Sequence, residues 1–119
     1  MHYIIKSFYF AFNGMYIFFK QERNGKLQAT IALFAIFAAC FFKISGYEWL
    51  ILLLCIGSVI SLEMINSAIE RICNMHTTQF NAEIKIIKDI AAGAVLWMSI
   101  ISAVIGCILF IPHLIIYFK

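Results

Sequence analysis

A chain of 119 residues that is 64% hydrophobic and 13% charged is not a soluble domain, which carries about a quarter charged residues. With a mean hydropathy of +0.96 it reads as an integral membrane protein, one compact unit too short for a second domain. The net charge of +3 is modest and no basic run reaches five residues, which excludes a nucleic-acid-binding role.

Ser7–Phe19 is free of charge and follows Lys6, the outline of a signal peptide. It lacks a small-x-small cleavage site, is too short to span, and carries Phe8, Tyr9, Phe10, Phe12, Tyr16, Phe18 and Phe19. Aromatic residues between Lys6 and the group Lys20, Arg23 and Lys26 belong at a membrane interface. A retained amphipathic surface helix is therefore expected over about 3–25. The first span is placed at about 27–47: Leu27–Phe42 is charge-free, Lys43 snorkels, and Ser45-Gly46 marks a turn. The second, about 48–71, contains Trp49–Leu62, also without a charge. A polar cytoplasmic loop is expected over 72–89. The third span, about 90–112, lies in Ile90–Phe118, which has no Asp, Glu, Lys or Arg; Pro112 is expected to end or kink it. Cys40, Cys55, Cys73 and Cys107 lie in or beside apolar runs and read as packing residues. His2, His76 and His113 have no zinc-ligand spacing.

Lys6, Lys20, Arg23 and Lys26 precede the first span, and Arg71, Lys85 and Lys88 follow the second, whereas Lys43 is alone between them. The positive-inside rule then puts the N-terminus and the 72–89 segment in the cytoplasm, at the plasma membrane. So small a bundle is expected to need partner subunits to build a water-filled site.

The second span ends on Glu63-Met-Ile-Asn66-Ser-Ala-Ile-Glu70. At about 100° per residue, Glu63, Asn66 and Glu70 fall within roughly 60° on one helix face. A carboxylate near mid-bilayer costs on the order of 2.5–3.5 kcal/mol, so such a face points to function. Both carboxylates lie in the cytoplasmic half, about 10 Å apart along the axis, with Glu70 nearer water. Glu22, Lys88 and Asp89 lie at a comparable depth. Hard oxygen ligands with a lysine suit Mg²⁺ and a nucleotide phosphate. Plainer readings make Glu70 an ion-pair partner of Arg71 or Lys88, Lys88-Asp89 an interfacial anchor and N-cap, and Ala91-Ala92-Gly93-Ala94 a packing surface.

The octet 63–70, followed by Lys88-Asp89-Ile-Ala-Ala-Gly-Ala-Val and preceded by Gln21-Glu22-Arg23-Asn24, resembles the prokaryotic diacylglycerol kinase family, which includes undecaprenol kinases. The likeness covers essentially the whole chain. It is unlike soluble kinases: there is no G-x-x-x-x-G-K-[ST] and no Gly-rich kinase loop. The resemblance implies an all-α bacterial membrane protein, a surface helix with three spans, assembled as a homotrimer with sites between subunits. It implies ATP-dependent phosphorylation of a lipid hydroxyl, with diacylglycerol the expected substrate and undecaprenol the alternative. By the same resemblance Glu63 is the general base and Asn66 positions the hydroxyl. Glu22 and Glu70 hold Mg²⁺ on ATP, and Lys88 and Asp89 join them in contacting the nucleotide. Three places, five residues in all, depart from the family pattern. Asn74 stands where aspartate is usual, Gln79-Phe80-Asn81 where Glu-Tyr-His is usual, and Phe10 where an aromatic nears the nucleotide, here without a hydroxyl. A reading from another class is a small proton or cation transport subunit with Glu63 and Glu70 as a relay.

Overall fold

The computed structural model describes residues 1–119 as four helices: α1 (His2–Gln21), α2 (Arg23–Phe42), α3 (Gly46–His76) and α4 (Ala82–Phe118). Each break has a local cause. Glu22 is extended (φ −86°, ψ 133°) and separates α1 from α2. Its backbone N–H still donates to the Phe18 carbonyl. The chain turns so sharply there that a Cβ on Gly25 would overlap that same carbonyl; glycine is required by close approach. The surface helix therefore stops at Gln21 rather than running to 25, and Asn24 and Gly25 open the next helix.

α2 ends at Phe42 instead of 47. Lys43 takes a left-handed cap (φ 51°), its N–H directed at the Ala39 and Cys40 carbonyls. Ser45 then caps α3: its hydroxyl accepts from Glu48 N at 3.3 Å, while Glu48 Oε1 accepts from Ser45 N at 3.0 Å.

The polar segment placed over 72–89 is mostly helical. α3 continues to His76 and α4 starts at Ala82, where Asn81 Oδ1 accepts from Glu83 N and Ile84 N. Only 77–81 is non-helical. Hydropathy reports where the hydrocarbon ends, whereas a helix ends where its caps are. Thirty-seven residues at ~1.5 Å rise make α4 ~55 Å long, which agrees with a molecular extent of 56 Å and exceeds the ~30 Å hydrocarbon layer.

Nor does Pro112 end α4, which runs through it to Phe118. A helix-interior proline costs about 3 kcal/mol. Beyond it, Tyr117 packs edge-on against Phe41 and Phe42, with centroids 5.3 and 6.1 Å away. Such pairs contribute about 0.5–1.5 kcal/mol each beyond their buried area. His113 Nε2 also lies 2.9 Å from Glu48 Oε2. These contacts hold the last turns in register.

α2, α3 and α4 run alternately, so the two ends of the bundle differ in chemistry. At one end Ala39, Ile44, Leu52 and Leu109 form the packed core, bordered by Phe42, Trp49 and Phe110. At the other end the α1–α2 junction, the C-terminus of α3 and the N-terminus of α4 meet. Three helices are long and apolar enough to cross a membrane. Only 13 of 119 residues are buried, while Leu33, Phe34, Phe37, Trp97 and Ile108 are bare. In water that much exposed apolar surface would aggregate; a bilayer covers it. α1 buries Phe18 alone, half-buries Phe19 against it and leaves its other aromatics outward.

Candidate active site

The last four turns of α3 carry the polar face. Glu63, Asn66 and Ser67 are 5–7% exposed; Glu70, one to two turns further, is half-buried. Asn66 Nδ2 donates to Glu70 Oε1 at 3.3 Å, so the amide and the shallower carboxylate form one connected unit. One oxygen of Glu63 and the side-chain oxygen of Asn66 are buried without a partner. Two buried acceptors without donors cost about 1–3 kcal/mol each; a ligand bringing a hydroxyl would satisfy one of them with its single hydrogen. Asn24, in the first turn of α2, comes within reach of the Glu63 carboxylate.

Glu22 meets α3 through a residue that sequence reasoning assigned elsewhere. Arg71 Nε donates to Glu22 Oε1 at 2.8 Å. Lys88 Nζ donates to Asn74 Oδ1 at 2.7 Å, joining α4 to α3 at the same end. Glu70 thus bonds neither Arg71 nor Lys88, the two partners its plain ion-pair reading named. Asp89 stands apart from the cluster, paired with Lys85 at 2.6 Å on the exposed face of α4. Lys88 and Asp89 lie in the second turn of α4, whose N-cap is Asn81.

No three metal-ligating side chains converge. Glu22 and Glu70 are two hard carboxylates, one at the junction and one on α3. Mg²⁺ is commonly held by one or two carboxylates with phosphate oxygens and water completing its shell. The donor set fits a metal that arrives with a nucleotide.

Between α2, α3 and α4 lies a mainly apolar cleft of about 350 Å³, lined by Ile31, Leu52, Val59, Ile60, Ser102 and Phe110 among others. Val59 and Ile60 precede Glu63 by four and three residues, so the cleft reaches α3 one turn from the buried carboxylate. Apolar space, then a partnerless acceptor pair, then carboxylates and cations toward water is the order of parts a phosphotransferase acting on a membrane lipid needs.

Residues 9–110 match the sequence profile of the prokaryotic diacylglycerol kinase family, and the chain belongs to it. The protein is accordingly a multi-pass membrane lipid kinase, and the transport-subunit reading is set aside. It is 37% identical to the undecaprenol kinase of Bacillus subtilis, over 92% of this chain and 89% of that one. It is 31% identical to the diacylglycerol kinase of Synechocystis, over 93% of this chain and 64% of the relative. Identity to the diacylglycerol kinase of Escherichia coli is 24%, over 92% and 90%. Diacylglycerol, the substrate expected first, is thus less well supported than undecaprenol.

Proposed function

We propose that this kinase transfers the γ-phosphoryl group of ATP to the hydroxyl of undecaprenol, with Glu63 as general base. The observation that carries the reaction is the buried, partnerless oxygen of Glu63 one helical turn beyond an apolar cleft. Support for the polyprenol comes from the 37% identity to the Bacillus subtilis undecaprenol kinase. Diacylglycerol is the second reading, favoured by the identities to diacylglycerol kinases.

The lipid enters sideways, its chain along the cleft and its hydroxyl directed at Glu63 and Asn66. Glu63 takes the hydroxyl proton as the lipid oxygen bonds to the γ-phosphorus; the bond from that phosphorus to the bridging oxygen breaks and ADP leaves. Asn66 orients the hydroxyl while its amide nitrogen keeps Glu70 in place. Glu70 and Glu22 would hold Mg²⁺, which when bound would supply charge neutralisation to the polyphosphate. Lys88, drawn from Asn74, adds a further cation to the polyphosphate, and Asp89 contacts the nucleotide once separated from Lys85. Phosphoryl transfer rests mainly on positioning and charge neutralisation, which a cluster of this kind can provide.

On this reading the N-terminus and residues 77–81 face the cytoplasm, where ATP is. Thiol labelling of single cysteines added at each end of the bundle in intact cells tests that orientation. The working form is a homotrimer, its subunits covering the bare faces of α2 and α4; a mass of one copy in native mass spectrometry would rule this out. The substrate is tested by incubating the purified protein with γ-labelled ATP and undecaprenol or diacylglycerol at equal mole fraction in mixed micelles. Undecaprenol should be phosphorylated with the higher kcat/KM. A preference for diacylglycerol would reverse the assignment.

A further inference from the structure

The contact between Arg71 and Glu22 has chemistry that neither capping nor packing calls for. Glu22 needs no side-chain partner to keep its backbone in place: its N–H donates to the Phe18 carbonyl, and its own carbonyl accepts from Lys26 N. Arg71 reaches it from α3, 49 residues away in sequence, through Nε at 2.8 Å. The Arg71 side chain is 56% exposed and that of Glu22 27%. Ion pairs this open contribute little to stability and exchange easily. The remaining guanidinium nitrogens bond to nothing. Lys85 and Lys88 are held by Asp89 and Asn74, so Arg71 is the cation at this end that is paired with a metal-ligand candidate, and it adjoins Glu70 in sequence.

We infer that Arg71 is a nucleotide-site residue with two partners in turn. In the free protein it is the counter-ion that holds the Glu22 carboxylate toward α3. When Glu22 turns to the metal, the guanidinium is released beside the polyphosphate, which its planar donor fork fits better than an ammonium does. Each charge keeps an opposite partner through the exchange: the metal takes the place of the cation lost by Glu22, and the guanidinium released meets the phosphates. This inference rests on the reading of Glu22 and Glu70 as metal ligands.

The experiment uses the full chain in detergent micelles and measures ATP affinity by displacement of a fluorescent ATP analogue, once in EDTA and once in saturating Mg²⁺. Arg71→Gln should weaken ATP binding by about tenfold in saturating Mg²⁺, the loss of one charge-assisted hydrogen bond to phosphate, and change it little in EDTA, where Glu22 keeps the guanidinium. An equal loss in both conditions would mean phosphate contact without the exchange and would overturn it. Arg71→Lys should recover part of the loss in Mg²⁺, and the lipid KM should stay at its wild-type value for both variants. Unchanged ATP affinity in both conditions would make Arg71 a structural clamp and overturn the inference, whatever happens to thermal stability. So would a loss seen only in EDTA, because Arg71 would then neutralise Glu22 without touching phosphate. If Arg71→Gln cannot be purified, Arg71→Lys decides: ATP affinity equal to wild type in both conditions refutes the exchange. Glu22→Gln and Glu70→Gln serve as separate controls. If neither alters the Mg²⁺ requirement, the metal-site reading fails by itself; if both do while Arg71→Gln has no effect, only the role of Arg71 fails.

Discussion

Replacing Glu63 by glutamine isolates the proposed base with almost no change in shape. Glu63 is 7% exposed and has one oxygen without a partner, which on the proposed reading is the acceptor for the lipid hydroxyl. General-base catalysis contributes about 10²–10⁴ in rate, equivalent to roughly 2.7–5.4 kcal/mol of barrier. Glu63→Gln should therefore lower kcat by at least about a hundredfold. Asn66 and Glu70 remain bonded to each other, and Glu70, the proposed metal ligand, lies about 10 Å further along the helix axis, so ATP affinity should stay within about twofold of wild type. The fold should not suffer, because a neutral amide is easier to bury than an unpaired carboxylate. The assay is transfer of labelled phosphate to the lipid in mixed micelles, with nucleotide binding measured separately and thermal unfolding as a control. Turnover within about tenfold of wild type would refute the assignment, since no base worth its usual contribution would have been removed.

Other perturbations test the frame around the site. Glu70→Gln should raise the Mg²⁺ concentration for half-maximal activity by about tenfold, as loss of a charged ligand does; an unshifted magnesium titration contradicts its metal role. Gly25→Ala forces a methyl group into the Phe18 carbonyl, so it should cost about 1–3 kcal/mol of stability and raise the KM for ATP by moving Glu22. A melting temperature and KM equal to wild type would show that the α1–α2 junction is not fixed by that contact. His113→Ala removes the Glu48 contact at the opposite end and should lower the melting temperature slightly, with the KM for ATP unchanged. If that KM rises instead, the two ends of the bundle are coupled.

How much of this was legible beforehand depends on how far apart the interacting residues lie. Helix periodicity alone put Glu63, Asn66 and Glu70 on one face, and the structure adds the Asn66–Glu70 bond between them. Loss of hydropathy after Leu62 located the change of environment but not the end of α3, which depends on caps and tertiary support as far as His76. The same limitation hid the first two turns of α4 and its passage through Pro112. Arg71–Glu22 and His113–Glu48 join residues 49 and 65 apart, and no local pattern announces such pairs. Gly25 was readable only as a glycine near a basic cluster; its necessity comes from the Phe18 backbone that folds against it. Asn74 was noticed as a departure from the family pattern, but its role as acceptor for Lys88 required the packing of α4 on α3.

The partnerless oxygens of Glu63 and Asn66 also bear on what happens after transfer. An alcohol brings a hydrogen; a phosphate ester has spent it, and once Glu63 passes to water the proton it took, the product's negative charge lies beside a carboxylate. The atoms that draw the substrate in therefore have nothing to offer the product. On the proposed reading release is written into the same pair of acceptors as recognition, and inhibition by the phosphorylated lipid should be weak.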